Sequence, residues 1–222
     1  MRKRSGTLML IVILLVAYVF ANSAVTSLSN LNNSQKEATD KTAEVNRSYY
    51  SLLDFDDETE HEFATRGLIA APETLELKDS NGRVVWSQKT YEFVDEFETI
   101  PDTVNPSLWR DTVLNHSYGL FEVCEGIYQV RGYDLTNLTL IETESGGWII
   151  FDPLMSQECT EAAMKLVEEN LGKRPVMAVV ISHPHVDHFG GIRGVVLEEQ
   201  VADRSLSIEE QISSGKVPII VP

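Results

Sequence analysis

Cysteine is scarce in this sequence: Cys124 and Cys159 are the only two in 222 residues. Two cysteines cannot build a disulfide framework, so they are either unpaired thiols in or near the core or a single bridge. Basic residues are also few, with 18 Lys plus Arg against 34 Asp plus Glu and a net charge of −16. An acidic surface without a basic stripe repels phosphate backbones, which argues against a nucleic-acid partner.

The sequence also has no apolar run of the ~20 residues that a helix needs to cross a bilayer. The nearest approach is the N-terminus, where MRKR precedes about fourteen apolar residues and the small polar run NSAVTSLSN. A basic start, a short apolar core and a small-residue exit are typical of a secretory signal peptide, predicted here as residues 1–23. We therefore expect export to the periplasm or the medium. Membrane contact is expected only through this segment, as a cleaved signal or an uncleaved anchor.

Residues 24–62 are polar and lack a sustained apolar stripe, so they predict a linker or N-terminal extension with a loose helix near residues 35–53. The acidic run DFDDETEHEF predicts a solvated face, in which His61 is a surface residue and not a ligand. The stretch IPDTVNPSLWRD contains Pro101 and Pro106 and predicts a loop.

Residues 63–222 predict one α/β domain of layered strands and helices. The dipeptide Asn81-Gly82 separates two short alternating runs, which indicates a hairpin. Three or four strands follow between residues 119 and 151, and the last of them, WIIF, is continuously apolar, as in a strand covered on both faces. A helix that begins after Ser156 and stops at Gly172 then leads to the buried strand PVMAVVIS.

The C-terminal segment GKVPIIVP is apolar and strand-like, and no further residues follow in the sequence to cover it. This pattern predicts a domain that is incomplete at Pro222. We expect the reading frame of the intact gene to continue beyond this residue, and a verified stop codon there would contradict the expectation.

The segment SHPHVDHFGG holds three of the five histidines of the chain and one aspartate within six positions. Its proline excludes a regular helix interior, so the segment is predicted to be a loop after the strand. In extended backbone His183 and His185 face the same side. Asp187 and His188 follow at once, and the two glycines allow a tight turn without side-chain clashes. Neutral imidazole and carboxylate suit zinc and similar cations, whereas a structural role would leave buried polar groups unsatisfied, so the cluster predicts a metal site.

The pattern His-x-His-x-Asp-His resembles that of the metallo-β-lactamase superfamily, an αβ/βα sandwich that usually binds two metal ions. The resemblance implies that His183 and His185 hold one ion, and that Asp187 and His188 hold the other. It also implies that Asp152, at the end of WIIF, supports the site from the adjacent loop, although Asp-Pro can also simply open a turn. Zinc, as two ions in the complete enzyme, is the expected cofactor. Only the N-terminal part of such a domain is expected in this chain.

A narrower resemblance is to the N-terminal half of the alkyl sulfatases of this superfamily, which hydrolyse sulfate esters of long-chain alcohols such as dodecyl sulfate. It extends from about Leu53 to the end of the chain. Five separated blocks in family order carry it: RGLIAAPETLELKDSNGRVVW, DTVNPSLWRD, GLFEVCEGIYQVRGYDLTNLTLIE, GKRPVMAVVISHPHVDHFGG and GKVPIIVP. Ser182 and Pro184 depart from the pattern, since the family more often has Thr and Ser there, but neither position is a ligand. Family members continue with further metal ligands, sulfate-binding basic residues, a dimerisation region and a C-terminal sterol-carrier-like domain.

For the complete enzyme, the resemblance implies metal-dependent hydrolysis of an alkyl sulfate by a homodimer, with Asp187 as the catalytic residue that helps to position the attacking water. The motif supplies only two ligands for each ion, whereas a catalytic zinc usually has about three protein ligands. His116 lies in a block that does not resemble a ligand position. The acidic residues Glu198, Glu199, Glu209 and Glu210 lie in a helix-like stretch typical of solvent exposure. We therefore expect weak metal binding and negligible turnover from these 222 residues alone.

Three other functions stay open. One is a different hydrolase on the same fold, such as a lactamase, thioesterase or lactonase, although the blocks NPSLW and IYQVRGYDL count against it. Another is a non-catalytic, truncated exported module, which continuation of the reading frame would exclude. The third is a nucleic-acid enzyme of the same superfamily, which the signal peptide and the net charge of −16 disfavour.

Overall fold

The structure is a computed structural model that describes residues 36–96 and 99–222. The predicted signal peptide, residues 1–23, lies outside this part of the chain, as does the first part of the predicted linker. Among the helices that the structure describes, none combines the length and the apolar character that a membrane span requires.

The described residues form nine β-strands and six α-helices, besides short 3₁₀ turns. The strands are β1 (Leu68–Ala70), β2 (Glu76–Lys78), β3 (Val84–Ser87), β4 (Gly119–Cys124), β5 (Ile127–Arg131), β6 (Leu138–Glu142), β7 (Trp148–Phe151), β8 (Val176–Val180) and β9 (Ile219–Ile220). The helices are α1 (Asp40–Ser48), α2 (Thr59–Thr65), α3 (Phe93–Glu96), α4 (Pro106–Asn115), α5 (Gln157–Leu171) and α6 (Ile208–Ser213).

Seven strands form one mixed sheet in the order β1-β4-β5-β6-β7-β8-β9. Consecutive strands from β4 to β7 pair antiparallel, as expected for strands joined by short turns. The connection from β7 to β8 runs through α5, and these two strands pair in parallel, as do β8 and β9. The predicted α/β class and the strand–helix–strand unit are confirmed, and the three or four successive strands predicted between residues 119 and 151 are four.

The predicted hairpin around Asn81-Gly82 is also confirmed, but it forms a separate two-stranded sheet of β2 and β3. Gly82 takes a φ of 79°, a conformation that glycine adopts without side-chain strain. The carboxylate of Asp79 closes the turn, because it accepts the backbone N–H groups of Asn81 and Arg83 at 2.9 Å each.

Helix α5 begins and ends where the sequence predicts. The hydroxyl of Ser156 accepts the N–H of Cys159 at 3.2 Å, and Gly172, with a φ of 81°, follows the last helical residue. Ala163 and Val167 are fully buried on this helix. They share one hydrophobic core with strand and hairpin residues: Leu75, Leu120, Val130, Leu138, Leu140, Trp148, Ile150 and Val179.

The loop predicted for IPDTVNPSLWRD is wrong in its second half, where Pro106–Asn115 form α4. Pro106 occupies the first helical turn, in which its missing N–H costs no helical hydrogen bond. Asn105 caps the helix, since its side-chain oxygen accepts the N–H of Ser107 at 2.9 Å. The proline therefore starts a helix at this position.

Part of the predicted linker, residues 24–62, contacts the domain. Arg47 on α1 pairs with Asp102, with 2.8 Å between Nε and Oδ1. Arg110 on α4 donates to the carbonyl oxygen of Phe55 at 3.3 Å. The predicted loose helix is confirmed as α1, and this segment is packed on α4 through polar contacts.

The remaining expectations concern thiols, acids and the C-terminal strand. Cys124 is exposed and Cys159 is buried, and both are unpaired thiols. The predicted strand in GKVPIIVP is β9, which is an edge strand of the main sheet and pairs with β8. The acidic side chains predicted to face solvent are exposed: Glu198, Glu199, Glu209 and Glu210.

Candidate metal centre

Two loops meet at the C-terminal ends of the parallel strands β7 and β8. Asp152 follows β7 directly, and Ser182 follows β8 after one further residue. The backbone N–H of Asp152 donates to the carbonyl of Val180 at 3.0 Å, so the parallel pairing continues up to the site. Because the carboxyl ends of parallel strands lie at the same edge of a sheet, these two segments become neighbours.

The loop after β7 has an unusual backbone. Asp152 has a φ of 52° and Leu154 a φ of 59°, in a region that residues with side chains rarely adopt. Aspartate is among the residues that tolerate this conformation, whereas the leucine is held there by complete burial of its side chain. The turn that results directs the chain from β7 towards Ser156 and the start of α5.

The loop after β8 approaches this turn closely. A Cβ atom on Gly190 would collide with the carbonyl oxygen of Met155, and one on Gly191 would collide with the carbonyl oxygen of Pro153. The N–H of Gly191 donates to the carbonyl of Leu154 at 2.9 Å. The two glycines were predicted to permit a tight turn without clashes, and the clashes that they avoid are with the other loop.

Three imidazole rings lie together on the second loop. The ring centroids of His183 and His188 are 3.9 Å apart, and those of His183 and His185 are 4.7 Å apart. Nε2 of His183 lies 3.2 Å from Nδ1 of His185. Nε2 of His188 lies 3.8 Å from Oδ2 of Asp187. The predicted convergence of these four side chains is therefore present in the structure.

Hydrogen bonds that two of the rings donate to Asp152 and Ser182 determine where those rings carry their protons. Oδ2 of Asp152 lies 2.9 Å from Nδ1 of His188, so this nitrogen is the donor and Nε2 keeps its lone pair. The hydroxyl of Ser182 donates to the same carboxylate at 2.7 Å. Its oxygen is thus the acceptor for Nδ1 of His183 at 2.9 Å, which leaves Nε2 of that ring unprotonated as well.

The carboxylate of Asp152 is stabilised in its charged form. Burial would raise its pKa, but hydrogen bonds from the N–H and hydroxyl of Ser182 and from His188 outweigh burial, and the net effect lowers the pKa. Asp152 is therefore ionised at neutral pH and can accept all three hydrogen bonds at once.

The spacing of the ring nitrogens of His183 and His185 suits the binding of one divalent cation by both rings. Two nitrogens bound to a tetrahedral zinc at about 2.0–2.1 Å lie about 3.3 Å apart. The 3.2 Å between Nε2 of His183 and Nδ1 of His185 matches that separation, and the space between them takes one proton or one cation. Within residues 36–96 and 99–222, no three His, Cys, Asp or Glu side chains form a group that could hold an ion by themselves. The number of ions and the donors that each would have stay predictions.

The structure brings together all five residues that the sequence analysis singled out: Asp152, His183, His185, Asp187 and His188. Their roles as ligands or supporting residues stay predictions. His116 lies outside this cluster, paired with Asp95 at 3.0 Å.

Sequence reasoning missed three residues around the cluster. Ser182 was treated only as a departure from a family pattern, although its hydroxyl contacts Asp152 and His183. Asp134 and Thr136 were not considered as site residues, although they contact the two loops of the site. No pattern in the sequence indicates the contacts of Asp134 and Thr136, because their partners are 21 and 51 positions away along the chain.

The chain is similar in sequence to a known superfamily and to two alkylsulfatases. Residues 131–217 match the model of the Metallo-beta-lactamase superfamily. The chain is 45% identical over 187 residues to a linear primary-alkylsulfatase of Pseudomonas sp., a match that covers 84% of this chain. It is 40% identical over 209 residues to an (R)-specific secondary-alkylsulfatase of Pseudomonas sp., with 94% of this chain covered.

A solved structure shares the architecture. The stereoselective inverting sec-alkylsulfatase of Pseudomonas sp. superimposes with a TM-score of 0.70 at 42% identity, over 83% of this chain. The present chain spans 26% and 29% of the length of the two relatives and 27% of the solved structure. The similarity therefore concerns one part of much longer proteins.

Proposed function

We propose that this chain provides the metal-binding loop of an enzyme that hydrolyses alkyl sulfate esters. The match of residues 131–217 to the metallo-β-lactamase superfamily and the homology to alkylsulfatases support this proposal. The observation that supports this most strongly is the histidine cluster, in which ring nitrogens with free lone pairs converge at the ends of two parallel strands. The names of the relatives point to alkyl sulfates as the substrate class.

Zinc, as two ions in the complete enzyme, is the proposed cofactor, because the donors are imidazoles and a carboxylate. His183 and His185 would hold one ion, and Asp187 and His188 the other. A cation bound here supplies positive charge that lowers the pKa of a coordinated water.

The side chains of this chain have separate tasks in the proposed reaction. Ser182 and Asp152 keep the protons of His183 and His188 on Nδ1, so that both rings present Nε2 to the cluster. The carboxylate of Asp187 is the proposed catalytic group, which accepts a hydrogen bond from the attacking water and orients it towards the ester.

The metal site is tested by zinc titration against a chromophoric chelator of low affinity, because the chain by itself is proposed to bind metal weakly. We expect the chain to compete for zinc, and we expect a variant with both His183→Ala and His188→Ala to lose this competition. His61→Ala is the matched control, since that histidine lies on α2. Equal competition by the double variant and the unmodified protein would contradict the proposed site.

The reaction is tested by a hybrid enzyme. Residues of this chain replace the matching 187-residue segment of the linear primary-alkylsulfatase of Pseudomonas sp.. We expect the hybrid to release sulfate from dodecyl sulfate and its His183→Ala variant to release only background amounts. A folded hybrid that binds zinc like the parent enzyme but releases no sulfate would contradict the proposal.

The chain by itself is proposed to bind metal weakly and to turn over negligibly, because each ion has only two donors from this loop. Robust sulfate release from dodecyl sulfate by the 222 residues with added zinc would show otherwise. Export, through the N-terminal segment, and a homodimer of the full-length enzyme are further proposals, supported by the sequence pattern and by the family resemblance respectively.

A further inference from the structure

The connection between β5 and β6, residues 132–137, lies between the β2–β3 hairpin and the histidine cluster. On the hairpin side, the carbonyl oxygen of Gly132 accepts two hydrogen bonds. One comes from Nε1 of Trp86 at 2.7 Å and the other from Nε2 of Gln88 at 2.6 Å. The side chain of Gln88 is buried, so this end of the connection is firmly attached.

The middle of the connection is attached to the loop that follows β7. The carboxylate of Asp134, only 4% exposed, accepts the N–H of Leu135 at 2.6 Å and the N–H of Met155 at 2.9 Å. Met155 lies three residues after Asp152, within the turn that carries the carboxylate of the site. The connection and this turn are therefore held together by a buried charged acceptor.

The far end reaches the histidine loop itself. The hydroxyl of Thr136 donates to the carbonyl oxygen of Asp187 at 2.6 Å, across 51 positions in the sequence. Asp187 belongs to the short helical turn Val186–His188, in which the N–H of His188 donates to the carbonyl of His185 at 3.0 Å. A hydrogen bond to the peptide of Asp187 restrains the orientation of this turn, and with it the direction of the Asp187 and His188 side chains.

We infer that Thr136 is a positioning residue for the metal-binding turn, and that residues 132–137 transmit the rigidity of the hairpin to that turn. The inference rests on the proposed metal-binding function, and it adds a residue that acts on the ligands through the backbone. Removal of the hydroxyl alone leaves the carbonyl of Asp187 without this donor and lets the turn reorient.

Three variants of the 222-residue chain separate the hydroxyl from side-chain volume. Thr136→Val keeps the branched shape and removes the donor, whereas Thr136→Ser keeps the donor. Thr143→Val is the matched control: its hydroxyl also donates to a backbone carbonyl, that of Gly147 at 3.2 Å, in the β6–β7 turn at the opposite end of the sheet.

The first measurement is hydrogen exchange in the metal-free protein, followed on peptides that contain residues 185–191. We expect exchange there to become about fivefold faster in Thr136→Val, as for the loss of one hydrogen bond. Exchange should be unchanged in Thr136→Ser and in Thr143→Val. Equal exchange in Thr136→Val and the unmodified protein would overturn the inference.

The second measurement is the zinc dissociation constant. We expect this constant to rise about tenfold in Thr136→Val, because loss of a residue that supports a metal ligand typically weakens metal binding about 10- to 100-fold. In Thr136→Ser we expect the dissociation constant of the unmodified protein. Faster exchange without any loss of zinc affinity would overturn the positioning role. Failure of the unmodified protein to bind zinc would contradict the proposed function, and the exchange measurement would still decide whether Thr136 restrains the turn.

Discussion

Replacement of Asp152 by asparagine is the sharpest perturbation of the candidate site. The residue has a φ of 52°, and asparagine tolerates this conformation as readily as aspartate does. The substitution therefore preserves the backbone and the side-chain volume and changes only the carboxylate. Alanine at the same position would add backbone strain and mix two effects.

The expected magnitude follows from the hydrogen bonds at the carboxylate. Oδ1 accepts the N–H of Ser182 at 2.8 Å, and Oδ2 accepts the hydroxyl of Ser182 at 2.7 Å and Nδ1 of His188 at 2.9 Å. In asparagine, an NH₂ group replaces Oδ2 and faces two donors. Hydrogen bonds to charged groups contribute about 1.5–3 kcal/mol each, and relaxation at a site that is 15% exposed reduces the loss. We expect the free energy of unfolding to fall by about 1–3 kcal/mol.

The same substitution changes the protonation pattern of His188. Without an acceptor at Oδ2, the ring is free to place its proton on Nε2, the atom that faces Asp187 at 3.8 Å. A protonated Nε2 cannot bind a cation, so we expect zinc affinity to fall about 10- to 100-fold.

The assays are urea unfolding followed by circular dichroism and zinc competition with a chelator. Asp79→Asn is the matched control, because Asp79 also accepts two backbone N–H groups but lies in the hairpin turn. We expect the control to lose stability and to keep its zinc affinity. If Asp152→Asn binds zinc as tightly as the unmodified protein, the assignment of Asp152 as the residue that orients His188 is refuted.

Three further predictions concern the fold. Leu140→Ala removes a fully buried core side chain and should lower the free energy of unfolding by about 2–5 kcal/mol in urea denaturation. An unchanged free energy of unfolding would contradict the burial of Leu140 in the core. Asn105→Ala should cost about 1 kcal/mol in the same assay by removing the cap of α4, and Asn105→Ser should restore most of it; equal loss in both variants would exclude capping as the cause. Burial raises the pKa of Cys159 to about 11, so the thiol stays protonated at pH 8. Mass spectrometry after iodoacetamide treatment at pH 8 should find only Cys124 alkylated in the native protein and both cysteines alkylated in urea, and native labelling of Cys159 would contradict its burial.

Local signals account for the parts of the fold that sequence reasoning predicted well. Asn81-Gly82 predicts a hairpin because few other residue pairs adopt its turn, and that hairpin is present. Ser156 and Gly172 bound a helix because the cap hydroxyl and the left-handed glycine act on neighbouring backbone groups. The error at Pro106 has a local cause too: proline ends a helix from within but starts one at the first turn, and the preceding Asn105 distinguishes the two cases.

The sequence by itself determined the identity and close spacing of the histidine cluster, because alternation along an extended loop brings side chains two positions apart to the same side. Only the tertiary structure decided which ring atoms carry protons and what holds the turn in place. Those properties depend on Asp152, which is 36 positions from His188, and on Thr136, which is 51 positions from Asp187. Hydrogen bonds act over about 3 Å in space, and the pairing of β6 with β7 and of β7 with β8 brings these distant positions within that range.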